Sequence, residues 1–143
     1  NPSYEGGENK YMNHEIAYIL FNQKYENLCA LMKDTTYTIP ENKKNERPNV
    51  TGYVFSFDNK YNKLHMKFTM RTNNIFWDSE SLSAINNLKS LINNSVDYHL
   101  RHKLIEGQGV ITNNVIHMRS SFTISKNKNR LLYRLRSKKR ICV

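Results

Sequence analysis

The stretch from Thr51 to Met70 constrains the fold more than any other. Tyr53, Phe55 and Phe57 recur at every second position, as do Leu64, Met66, Phe68 and Met70, and the two runs are separated by Asp58-Asn59-Lys60-Tyr61-Asn62. A period of two on both sides of a turn-forming segment predicts an antiparallel hairpin with one buried face. A lone hairpin is marginal in water, so the rest of the chain must supply further strands or a covering helix.

Two segments supply helices. Between Asn13 and Lys33 the residues Ile16, Ala17, Ile19, Leu20, Tyr25, Leu28, Leu31 and Met32 fall at helical spacing. One helix, or two joined near Asn22, is expected, with Asn13 as N-cap and Glu15 in the first turn. From Asp78, a second cap, Leu82, Ile85, Leu88, Ile92 and Val96 form one stripe with Ala84 and Leu91 beside it. Other segments read as extended: Asn9 to Met12 after a Gly6-Gly7 turn, Thr35 to Ile39 closed by Pro40, His99 to Ile105, Val110 to Ile116, Arg119 to Ile124, and Asn129 to Leu135. Glu41 to Asn49 is a charged, proline-punctuated loop. About seven short strands, with helices in two places, predict a β-rich α+β domain, a partial jelly roll, over residues 1–136, followed by a basic tail at 137–143.

Composition narrows the class. Six Phe, nine Tyr and one Trp exclude a disordered polar chain despite 38% hydrophobic residues. No apolar run reaches the roughly 18 residues of a membrane span, and the first residues have neither the basic start nor the apolar core of a signal peptide. The sequence does not begin with Met, and a piece of a longer protein is the expectation. Cys29 and Cys142 make neither a disulfide framework nor a metal-ligand spacing, so a reducing, cytoplasmic setting is expected. After Glu106 there are nine Lys or Arg and no acid, a distribution that suits a polyanion or small anions.

Within that basic third, Gly107-Gln108-Gly109 opens a turn, Val110 to Ile116 a short apolar strand, and His117 follows among Asn113, Asn114 and Arg119. Arg130 and Arg134, an even number of residues apart, share a face of the next predicted strand. A neutral imidazole is a good iron ligand and an arginine fork a good carboxylate clamp. Read alone, His117 suits a half-buried histidine satisfied by a neighbouring Asn; the combination with Arg130 raises the functional reading.

Asn113-Asn114-Val115-Ile116-His117-Met118-Arg119-Ser120-Ser121-Phe122, then Arg130-Leu131-Leu132-Tyr133-Arg134-Leu135, resembles the C-terminal signature of the taurine dioxygenase and clavaminate synthase-like Fe(II)/2-oxoglutarate dioxygenases. The resemblance implies a double-stranded β-helix (jelly roll), incomplete here at its N-terminal side, with His117 as the late metal ligand and Arg130 as the clamp for the distal carboxylate of 2-oxoglutarate. It implies that Arg134 faces the cosubstrate or an anionic group of the substrate, and that Asn113, Asn114 and Arg119 lie near the substrate or behind the ligands. Tyr4-Glu5-Gly6-Gly7-Glu8-Asn9 is similar to the family's Gly-Gly-Glu-Thr segment, with Asn9 where the cosubstrate-binding Thr stands. In that registration the family's early His-x-Asp/Glu ligands precede residue 1. Adjacent His14 and Glu15 lack the required spacing, and His99 and His102 are expected on opposite sides of a strand. The implied activity is hydroxylation of a small polar, amino-acid-like substrate, with O2 and 2-oxoglutarate consumed. Two other readings remain open: a non-catalytic β-rich module that binds nucleic acid or another polyanion through the basic third, and a degenerate dioxygenase fold kept for interaction.

Overall fold

The computed structural model describes residues 5–45, 47–60, 62–113, 115–123 and 131–135. The strands among them are β1 (Glu5–Gly6), β2 (Asn9–Met12), β3 (Tyr37–Ile39), β4 (Val50–Gly52), β5 (Phe55–Asp58), β6 (Lys63–Met66), β7 (Phe76–Trp77), β8 (Leu100–His102), β9 (Ile116–Arg119) and β10 (Phe122–Thr123). The helices are α1 (His14–Lys24) and α2 (Leu82–Asn94). Together they make a mixed α+β structure of antiparallel strands in open sheets, with no closed barrel among the described residues. The chain forms two compact units, Asn13–Tyr98 and Asn1–Met12 with His99–Val143.

Among the described residues, the unit Asn13–Tyr98 holds nearly all of the buried apolar side chains. Helix α1 starts where the Asn13 side chain accepts a hydrogen bond from the Glu15 backbone N–H at 2.8 Å, the expected cap. It ends at the extended Tyr25 rather than near Asn22, and a 3-10 turn, Leu28–Leu31, follows. In α2 the residues Ala84, Ile85, Leu88, Leu91 and Ile92 are buried as the stripe predicts, whereas Leu82 and Val96 at its ends are exposed. Asp78 caps no α-turn. It introduces a 3-10 turn, Ser79–Ser81, and its carboxylate lies 3.1 Å from the buried Ser81 hydroxyl.

The predicted hairpin forms as β5 and β6, pairing Phe55 with Met66 and Phe57 with Leu64. Its aromatic alternation does not bury one face throughout. Val54 donates its N–H to the Leu31 carbonyl at 3.0 Å and accepts from Lys67 N–H at 2.8 Å, which interrupts the strand between β4 and β5. Phe55 is therefore fully buried, while Tyr53 and Phe57 are exposed. Tyr18 of α1 meets Phe55 and Phe57 edge-on, with ring centroids 5.4 and 5.9 Å apart.

A separate sheet has the order β4-β3-β7 and joins Tyr37 to Gly52 on one side and to Trp77 on the other. Tyr37 is buried, and burial raises its phenol above the usual value of 10.0 because the phenolate would lose its hydration. The folded state then holds this proton more tightly than the unfolded chain does. Stability should fall as pH rises through and beyond 10.0. In an ultraviolet titration one tyrosine should ionise after the exposed ones, and its loss in Tyr37→Phe checks the assignment.

In the other unit, β2 lies between β8 and β9 in a three-stranded sheet. Strands β1 and β10 continue the β2–β9 ladder in the same register, through Gly7 N–H to Ser121 O and Ser120 N–H to Glu8 O, both 3.0 Å. Gly6-Gly7 therefore does not reverse the chain as expected. Both residues have left-handed φ, +65° and +73°, inside a continuous ladder. A Cβ on Gly6 would run into the Ser121 carbonyl oxygen, so the sequence needs glycine there. Among the described residues of this unit Met12 is the one buried hydrophobic, and Leu100, Ile111, Tyr133 and Leu135 are exposed. The predicted final strand differs: residues 131–135 carry no regular structure and have no strand partner among the described residues, while 129 and 130 lie outside them. The residues of the expected basic tail, 137–143, also lie outside the described residues. No helix among the described residues is long and apolar enough to cross a membrane.

Candidate functional site

Strand pairing brings Glu5–Gly6 against Phe122–Thr123 and Asn9–Met12 against Ile116–Arg119. Asn9 is the cross-strand partner of Arg119 on one side and of His102 on the other, and Tyr11 is the partner of His117 and Leu100. Residues two apart on a strand share a face, and direct partners share it too. Asn9, Tyr11, His102, His117 and Arg119 thus project from one side of the sheet. The alternation along β9 agrees, since Ile116 and Met118 are half-buried and His117 and Arg119 exposed.

The His117 ring is oriented by its own turn. Its Nδ1 lies 2.9 Å from the Val115 carbonyl oxygen. A carbonyl only accepts, so Nδ1 carries the proton and, in the neutral ring, the Nε2 lone pair is left for a ligand. Val115 is itself held by its N–H donating to Thr112 Oγ1 at 3.2 Å. This is the arrangement a metal-binding imidazole needs.

His102 is set in the opposite tautomer. Gln108 Oε1 accepts from Ile105 N–H at 3.1 Å and lies 3.0 Å from His102 Nε2, so Nε2 is the donor and the Nδ1 lone pair remains. Asn9 Nδ2 donates to the His102 carbonyl at 3.3 Å, which ties the amide to the same row. The guanidinium of Arg119 lies over the Phe122 ring, 4.8 Å from its centroid.

Of the other sequence-predicted residues, Asn113 is half-buried beside this turn, and Arg134 is exposed and makes no hydrogen bond or ion pair among the described residues. Asn114 and Arg130 lie outside the described residues. His14 is buried with Nε2 3.0 Å from the Leu64 carbonyl, and the neighbouring Glu15 is exposed, so the two do not form a ligand pair. His102 is the residue that sequence reasoning set aside. Its even offset from Leu100 fixes its face, but which strand lies beside it is a long-range fact that no local pattern carries.

An iron site would draw on these residues. His117 fits as one donor, because its ring is oriented through Nδ1 and the residue is exposed. The rest do not complete a site: no group of three His, Cys, Asp or Glu among the described residues is placed to hold a metal ion. One imidazole without a carboxylate binds Fe(II) weakly. No family model, curated protein or solved structure was found to match this chain.

Proposed function

We propose that this chain is the C-terminal part of an Fe(II)/2-oxoglutarate-dependent dioxygenase of the double-stranded β-helix type. In this reading His117 is one of the metal ligands, Arg130 clamps 2-oxoglutarate, and the other two ligands come from outside the chain. The observation that carries it is the single ladder in which Gly6 to Asn9 pairs with Arg119 to Phe122, with His117 two residues further along the same strand. Two segments more than a hundred residues apart resemble the same family, and an antiparallel register brings them onto one sheet face. The bound iron would supply oxidising chemistry with O2. The chain's own residues orient: Val115 and Thr112 hold the His117 ring, Asn9 offers an amide beside it, and Arg134 stands with the cosubstrate or substrate anion. The substrate in this proposal is small, polar and amino-acid-like. A reducing, cytoplasmic setting belongs to the same reading, supported by the exposed free thiol of Cys29.

The test uses the full-length protein from its native reading frame, kept free of oxygen. Addition of Fe(II) and 2-oxoglutarate should give the visible charge-transfer band of the chelate. His117→Ala should abolish the band, and Arg130→Ala should weaken 2-oxoglutarate binding by about ten-fold or more while Fe(II) still binds. A band that survives His117→Ala unchanged would remove the proposal.

A further inference from the structure

Arg119 is placed for more than support of a metal ligand. The residue is exposed, its guanidinium lies over the Phe122 ring with Cζ 4.8 Å from the centroid, and it makes no ion pair among the described residues. The acids of the ladder, Glu5 and Glu8, leave it free for another anion. Directly across from it stands Asn9, whose amide nitrogen uses one N–H on the His102 carbonyl and keeps a second. Two residues back on the same strand is His117, about 7 Å away along the backbone.

The cation–π contact with the Phe122 ring holds the guanidinium in place before any ligand arrives, which lowers the ordering cost of binding. A planar fork of N–H donors matches a carboxylate bidentately, and the amide of Asn9 adds a donor from the next strand. We propose that Arg119, with Asn9, binds a carboxylate of the substrate and so determines specificity; calling that ligand the substrate rests on the dioxygenase reading above. The short spacing from Arg119 to His117 means that one molecule of amino-acid size spans both. A carboxylate at Arg119 then fixes which carbon is presented at the His117 end of the row.

The experiment is a titration of the full-length protein, labelled with 15N at arginine, with acetate, acetamide and inorganic phosphate as probes. Acetate should shift the Arg119 Nε–H signal saturably, and acetamide should not. Isothermal titration calorimetry reads the variants, which lack that signal: Arg119→Gln should abolish acetate binding, and Arg119→Lys, which keeps the charge without the fork, should retain part of it. Phe122→Leu should weaken binding by about two- to five-fold through loss of the aromatic ring. No saturable shift with acetate, or phosphate bound more tightly than acetate, would overturn the carboxylate assignment. The Fe(II)/2-oxoglutarate band is read on the same samples. Circular dichroism reports the fold of each variant, and absence of the band from the unaltered protein would sink the dioxygenase reading while leaving the acetate result to decide the carboxylate site.

Discussion

Phe55→Ala is expected to lower the free energy of unfolding of the Asn13–Tyr98 unit by about 3–5 kcal/mol. The ring is fully buried, sits opposite Met66 in the hairpin, and takes an edge contact from Tyr18. Truncation removes the transfer free energy of the ring, the aromatic contact, and the packing of atoms left facing a cavity. The surroundings have little room to collapse, because the backbone at Val54 is pinned by hydrogen bonds on both sides. Phe57 is the internal control. It lies on the same strand and also touches Tyr18, but it is about half exposed, at 49%. Phe57→Ala should cost about 1 kcal/mol or less. Urea denaturation followed by circular dichroism measures both. Equal losses for the two variants would show that the strand break at Val54 does not separate their environments.

The same pair explains what the sequence carries and what it does not. Helix signals are local, and they are legible: Asn13 caps α1 through its own side chain, and the Ile85, Leu88, Ile92 stripe is the buried face of α2. The hairpin is legible in its register, because turn and alternation lie within one short segment. Which aromatics it buries is not, since Val54 is diverted by Leu31, a partner far away in sequence. For the same reason β7 has no signal of its own; Phe76–Trp77 becomes a strand only because Tyr37 is there to pair with it. The helix stripe overshoots at Leu82 and Val96, where period predicts a face but not where the opposing surface stops. In the candidate site the residue types at Asn9, His117 and Arg119 could be read, and their common face follows from a register between the two ends of the chain. His102 joins that face through β2 and has no motif to announce it.

That register depends on one glycine, and Gly6→Ala should therefore do more damage than its size suggests. The backbone at Gly6 is left-handed, φ +65°, which costs an L-residue about 1–2 kcal/mol, and the added methyl would collide with the carbonyl of Ser121. The collision is with backbone, so no rotamer relieves it. To make room β10 must move away from β1, and Met12 is the only buried hydrophobic among the described residues of this unit to resist the movement. A ladder held chiefly by backbone hydrogen bonds then loses protection along its length. Amide exchange at Asn9–Met12 and Ile116–Arg119 should accelerate by at least about ten-fold, the factor that corresponds to about 1.4 kcal/mol, while the amides of α2 in the other unit stay protected. Acetate binding at Arg119 should weaken in parallel, because Asn9 no longer stands opposite it. Unchanged exchange in both strands would mean that the ladder tolerates a side chain at Gly6 and that Asn9 keeps its place opposite Arg119 without that glycine.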